Sequence, residues 1–101
     1  MKIRLLRSAR GDLLKAYEFY EHQSEGIGRY FLDSVSADID SLLLYAGIHP
    51  RPWNDYHRML THRFPYAIYY RVVGEEIRIY AVLDCRQDPD THLHRLDDEQ
   101  K

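Results

Sequence analysis

The chain has 101 residues, 45% of them hydrophobic and 13% aromatic, so it fits one small folded domain and is too short for a catalytic domain plus a separate regulatory one. Fourteen Lys and Arg residues against sixteen Asp and Glu give a net charge of −2, which argues against a general nucleic-acid binder, and one cysteine excludes an internal disulfide. Charges interrupt every apolar run near the N-terminus, so we expect no signal peptide, no membrane span and a cytoplasmic protein.

The N-terminal half predicts one strand and two helices. Residues 2–7 alternate in part, with Arg4 opposite two apolar residues, as in a strand. Apolar residues recur at helical spacing over residues 8–25, until two glycines interrupt the pattern. A second amphipathic helix is predicted over residues 27–46, and Gly47 is placed to end it.

These two helices are expected to form a hairpin with an acidic outer side. The connection between them is very short, which favours antiparallel packing. Asp12 on the first helix and Asp38 on the second lie away from the apolar stripes, so both are predicted to face solvent.

The C-terminal half predicts three strands after a proline-containing loop. The first, over residues 56–63, is diluted by polar residues, whereas the next two alternate clearly and are joined by a turn at Gly74 and Glu75. One side of these two strands is predicted to carry Ile68, Tyr70, Val72, Ile77, Ile79, Ala81 and Leu83. The other side is predicted to carry Tyr69, Arg71, Arg78, Tyr80 and Asp84.

The fold class that follows is α+β in the order β-α-α-β-β-β, with an antiparallel-rich sheet. The helical hairpin is expected to cover the apolar face of the sheet and to leave the other face open. Residues 1–89 are predicted to form a single domain. Residues 90–101 are predicted to be a polar tail, in which Leu93 and Leu96 form no more than a short docked turn.

Three segments of the sequence carry a resemblance to a known family. "SARGDLLKAYEFYE", "RFPYAIYYRV" and "AVLDCRQDP" resemble the RelE/ParE family of bacterial type II toxins, also called plasmid-stabilisation proteins, and the similarity runs from Lys2 to Pro89. It implies a compact toxin that forms a hetero-oligomer with a cognate antitoxin. RelE-like members are ribosome-dependent endoribonucleases that cut mRNA, whereas ParE-like members poison DNA gyrase without a known active site.

Departures from the RelE pattern favour the ParE-like activity. RelE-like members place an arginine after the tyrosine that begins the third strand, but here Ala67 follows Tyr66. Asp84 stands where many members of both kinds carry a histidine, and this departure weakens the case for catalysis, because a carboxylate there repels phosphate unless an arginine pairs with it. The ending "RQDP" matches ParE-like members.

The open face is therefore predicted to be a docking surface, because arginine and tyrosine are favoured interface residues. Its candidate residues are Arg58, Arg63, Tyr69, Arg71, Arg78, Tyr80 and Arg86. The plainer interpretation is that they are solvated residues on the polar face of a small sheet.

An alternative is a RelE-like endoribonuclease that engages the ribosome and mRNA, with catalysis by the following residues: Arg58, Arg63, Arg71, Tyr80 and Arg86. A third possibility is a decayed toxin that binds only its antitoxin. The six histidines show no spacing typical of a metal site, so neither a metal nor another cofactor is expected.

Overall fold

The structure is a computed structural model that describes residues 1–99. In it the chain forms a four-stranded sheet. Its elements are β1 (Lys2–Leu5), α1 (Arg7–Gln23), α2 (Ile27–Asp40), α3 (Leu42–Tyr45), β2 (His57–Leu60), β3 (Tyr66–Val73), β4 (Glu76–Asp84) and α4 (Pro89–Glu99). The predicted α+β order β-α-α-β-β-β is confirmed, and the structure adds two helices, α3 and α4.

The strands lie side by side in the order β1-β4-β3-β2. Strand β1 runs parallel to β4, whereas β4 with β3 and β3 with β2 are antiparallel. The first strand of the chain thus pairs with the last, and β1 and β2 form the two edges of the sheet.

Helices α1 and α2 form the predicted hairpin, and a glycine pair allows their close approach. The Glu21 carboxylate accepts hydrogen bonds from the backbone N–H groups of Gly26, at 3.0 Å, and Gly28, at 2.9 Å. Gly26 has a φ of +91°, which glycine adopts without steric penalty. A Cβ at position 28 would lie 2.7 Å from ring atoms of Tyr17, so the two helices meet at a distance that only glycine permits.

The main core lies between this hairpin and one face of the sheet, which we call face one. It contains Ala9, Ala16, Phe31, Val35, Ile39, Leu42, Met59, Tyr66, Ile68, Tyr70, Ile77, Ile79 and Val82. The predicted second helix is interrupted at Ser41 between α2 and α3, and Gly47, with a φ of +98°, follows α3.

The prediction that Asp12 and Asp38 face solvent is wrong. Asp38 is buried, and its carboxylate accepts a 3.0 Å hydrogen bond from the backbone N–H of His62, whose ring Nδ1 lies 2.5 Å away. The Asp12 carboxylate accepts a 3.0 Å hydrogen bond from the backbone N–H of Val82. Both carboxylates supply acceptors that backbone N–H groups near the sheet otherwise lack.

The predicted placement of Ala81 and Leu83 on face one is also wrong. The β3–β4 register shifts between Tyr69 and Tyr70, because Tyr69 pairs with Ala81 while Tyr70 pairs with Ile79. Tyr80 is therefore the extra residue of a β-bulge, and a bulge reverses the alternation beyond it. As a result Ala81 and Leu83 lie on the opposite face, which we call face two.

The predicted open face is largely covered, which corrects the sequence-based expectation. Face two carries a second buried cluster that contains Tyr56, Ala67, Tyr69, Tyr80, Ala81, Leu83 and Leu96. The loop before β2 contributes Tyr56 and the neighbouring Trp53, and α4 contributes Leu96. Helices or loops thus lie against both sides of the sheet.

The segment predicted to be a polar tail forms helix α4 through Glu99. Its apolar content is low, but His92 and Leu96 are spaced four residues apart and are both buried. The boundary at residue 89 stays a prediction, and the last two residues of the predicted tail lie outside the described residues.

Candidate binding surface

Tyr69 is the centre of a hydrogen-bonded chain on face two. Arg58 Nε donates to the Tyr69 hydroxyl at 3.1 Å, and that hydroxyl lies 2.8 Å from Nδ1 of His92. His92 Nε2 donates to the carbonyl of Asp84 at 2.8 Å, which leaves Nδ1 to accept a hydrogen bond from the Tyr69 hydroxyl. Burial raises the pKa of Tyr69, and Arg58 opposes that shift. Tyr69 thus holds β3 against α4, and its side chain is fully buried.

Arg71 and Tyr80 occupy the neighbouring part of face two. The Arg71 guanidinium carbon lies 4.2 Å from the ring centroid of Tyr56 and 5.6 Å from that of Tyr80. Tyr80 is only 8% exposed. Arg71 Nε is buried and has no hydrogen-bond partner in the part of the chain that the structure describes. These aromatic rings hold the guanidinium in place by cation–π contacts and leave its hydrogen-bonding capacity partly unused.

Three arginines lie on one rung of the sheet, across three adjacent strands. Arg4 of β1 pairs in register with Arg78 of β4, and Arg78 pairs in register with Arg71 of β3. We call this set the arginine row. Arg78 Nε contacts the Glu76 carboxylate at 2.6 Å, and Arg4 approaches the same carboxylate at 3.6 Å. The sequence analysis selected Arg71 and Arg78 but not Arg4. Arg4 lies beside Arg78 because β1 pairs in parallel with β4, and the spacing of residues along the sequence does not predict that pairing.

Arg86 and Arg63 lie apart from this row. Arg86 forms a two-pronged ion pair with Asp84, with Nε 3.0 Å from Oδ1 and Nη2 2.7 Å from Oδ2. Hydrogen bonds from Arg86 hold the pKa of Asp84 below its usual value. Arg63 Nη1 donates to the Tyr30 hydroxyl of α2 at 2.9 Å, on the helical-hairpin side. The seven predicted surface residues therefore do not form one continuous surface.

A separate groove of about 390 Å³ lies between α1, the end of β4 and α4. An ion pair spans it, because Arg95 of α4 contacts the Asp12 carboxylate at 2.7 and 2.8 Å. Arg95 also lies 3.4 Å from the carbonyl of Tyr80. Strand β1 pairs with β4 only as far as Ile79, so the Asp12–Arg95 pair supplies hydrogen bonds to the part of β4 that β1 does not reach.

The described residues contain neither a metal-binding cluster nor a helix that could span a membrane. Among residues 1–99, no three His, Cys, Asp or Glu side chains are grouped so that they could ligate a metal ion. His62 contacts Asp38, and His92 belongs to the chain around Tyr69. No helix of the described residues has the length and apolar character needed to span a bilayer.

The chain is similar to toxins of type II toxin–antitoxin systems. A family model described as the ParE toxin of the type II toxin–antitoxin system parDE matches residues 3–89. The fold matches a chain of the chromosomal ParDE toxin–antitoxin system from P. aeruginosa with a TM-score of 0.75 and 21% identity. That match covers 81% of this chain and 92% of the other. A search of curated proteins gave no match.

Proposed function

Because this chain belongs to the ParE toxin family of type II toxin–antitoxin systems, we propose that it inhibits DNA gyrase by binding it and that a cognate antitoxin neutralises it. The inhibition is a matter of surface contact and not of bond breaking. Its site of action is the cytoplasm, where gyrase acts on DNA.

The observation that carries the binding mechanism is that the candidate catalytic side chains do not converge on one site, because Arg63 and Arg86 lie apart from Arg71 and Tyr80. Hydrolysis of RNA by a protein needs a proton acceptor, a proton donor and cationic groups that converge on one phosphate. Here Arg86 is paired with Asp84, Arg63 contacts α2, and Tyr80 is buried beside Arg71. This arrangement supports a docking protein over a RelE-like ribonuclease.

A supercoiling assay with purified gyrase tests the proposal. We expect the purified toxin to block gyrase-catalysed supercoiling of relaxed plasmid. We also expect the adjoining reading frame to encode the antitoxin and this antitoxin to restore supercoiling. Expression without that antitoxin is expected to stop growth with filamentation while mRNA stays intact.

Two outcomes would contradict this assignment. Cleavage of mRNA in a purified translation system would establish the RelE-like activity instead. A chain that binds its antitoxin but neither inhibits gyrase nor arrests growth would be a decayed toxin.

A further inference from the structure

The arginine row concentrates positive charge on an otherwise acidic protein. Side chains directly opposite each other on antiparallel strands have Cβ atoms about 4.5–5.5 Å apart, and like charges at such positions destabilise a sheet. Arg78 and Arg71 occupy such positions, and Arg4 is the partner of Arg78 on the parallel strand β1. The chain as a whole has a net charge of −2, so its overall composition does not account for this concentration.

The carboxylates nearby do not balance the row. Within residues 1–99, Glu76 is the acidic residue whose carboxylate lies within 4 Å of any of the three guanidinium groups, and it contacts Arg4 and Arg78. Three arginines and one carboxylate leave an excess of two positive charges. The buried Nε of Arg71 adds a donor without a partner among the described residues. The arginine row therefore has more hydrogen-bond donors than the nearby carboxylate can accept from.

The row is accessible from solvent at its β1 end. The Arg4 side chain is 61% exposed and that of Arg78 is 35% exposed. A shallow depression beside Arg78 is lined in part by Met1, Val73 and Glu75, and the two apolar side chains there are exposed. An incoming chain can thus meet cationic and apolar groups together.

We infer that the arginine row binds an acidic segment of the cognate antitoxin, an inference that rests on the proposed function. An arginine guanidinium can bind a carboxylate through two parallel hydrogen bonds. Three arginines on one rung of the sheet can therefore bind acidic side chains that are spaced along one peptide. The exposed Met1 and Val73 suit apolar residues of the same peptide. Glu75 and Glu76 would repel the continuous phosphate chain of a nucleic acid, which favours a peptide occupant.

The test compares two double variants with the same change in charge. R4Q/R78Q removes two arginines of the row and keeps two side chains of similar length. R29Q/R51Q is the matched control, since Arg29 and Arg51 are exposed arginines that pair with Asp33 and Asp55 on the surface. Circular dichroism and urea unfolding confirm that each variant folds.

Binding of each variant to the purified antitoxin from the adjoining gene is measured by calorimetry at several salt concentrations. We expect R4Q/R78Q to raise the dissociation constant about tenfold or more and to reduce its salt dependence, while R29Q/R51Q stays within about twofold of wild type. Equal effects of the two double variants, or none, would overturn the inference.

Two further arms separate the possible failures. If the wild-type chain does not bind the antitoxin at all, the antitoxin partnership in the proposed function fails, and the inference falls with it. If R4Q/R78Q binds antitoxin normally but loses binding to a single-stranded DNA oligonucleotide, the row serves nucleic acid and the peptide assignment is wrong.

Discussion

Replacing Leu96 with alanine tests whether α4 is an integral part of the folded domain. Leu96 has 0% exposure and belongs to the face-two cluster with Tyr56 and Tyr69. The substitution removes three buried carbon atoms, which at about 0.8 kcal/mol each amounts to about 2.4 kcal/mol of transfer free energy. A residual cavity adds to this, so we expect the free energy of unfolding to fall by about 3–4 kcal/mol.

Equilibrium urea unfolding, followed by fluorescence of the single tryptophan, measures the effect. Trp53 stacks on Tyr69 with ring centroids 5.9 Å apart, so its emission reports on face two. Leu44→Ala is the matched control, because the same atoms are removed from a side chain that is 81% exposed; we expect a change below about 0.5 kcal/mol. If Leu96→Ala and Leu44→Ala have equal effects, α4 does not contribute to the core as described.

Three further substitutions are checked by the same unfolding measurement. Asp12→Ala should lower the free energy of unfolding by about 1–3 kcal/mol, because it removes one of the two carboxylates that pair with the partly buried Arg95, the other being Glu99, and also removes the acceptor of the Val82 N–H. Asp33→Ala, in an exposed pair, should lower it by less than about 0.5 kcal/mol, and similar losses for the two variants would refute this. Gly28→Ala should lower the free energy of unfolding by about 1–3 kcal/mol, because the added Cβ overlaps Tyr17. Gly11→Ala, where no atom lies near the added Cβ, should stabilise α1. A Gly28→Ala variant of unchanged stability would contradict the close contact between the helices. Burial, and then the neighbouring His57, lower the pKa of His49 below 6.5 in the folded chain. The free energy of unfolding should therefore fall as the pH drops from 6.5 through this lower pKa. His49→Gln should weaken that pH dependence, and an unchanged profile would contradict the prediction.

The elements that the sequence predicts well are those in which local pattern and tertiary packing agree. The two alternating strands, the turn at Gly74 and the helical hairpin all appear where predicted. In each of them the residues that set the local conformation also supply the apolar face, so a single pattern carries both kinds of information.

The errors arise where long-range contacts decide the outcome. The bulge at Tyr80 depends on the register of β4 against β3, and the residue type at that position does not indicate a bulge. Helix α4 looks like a polar tail because only two of its residues are buried. The burial of Asp12 is decided by Arg95, which lies 83 positions further along the chain.

The arrangement of the candidate surface residues was not predictable from the sequence. The sequence analysis selected arginine and tyrosine residues on the later strands as an open docking surface, but Tyr69 is a core residue and Arg86 is paired with Asp84. Arg4 joins Arg78 only through the parallel pairing of the first and last strands. The spacing of residues along the sequence does not predict this pairing of Arg4 with Arg78.

The parallel pairing of β1 with β4 also bears on how the chain folds during its synthesis. On the ribosome, β1 emerges first but has no strand to pair with until β4 has been made and released, and the Asp12–Arg95 contact must wait longer still. The N-terminal half alone contains a helical hairpin with an uncovered apolar side, so its core cannot close before β3 and β4 have been made. The domain therefore reaches its complete fold only after its last strand and α4 have been synthesised.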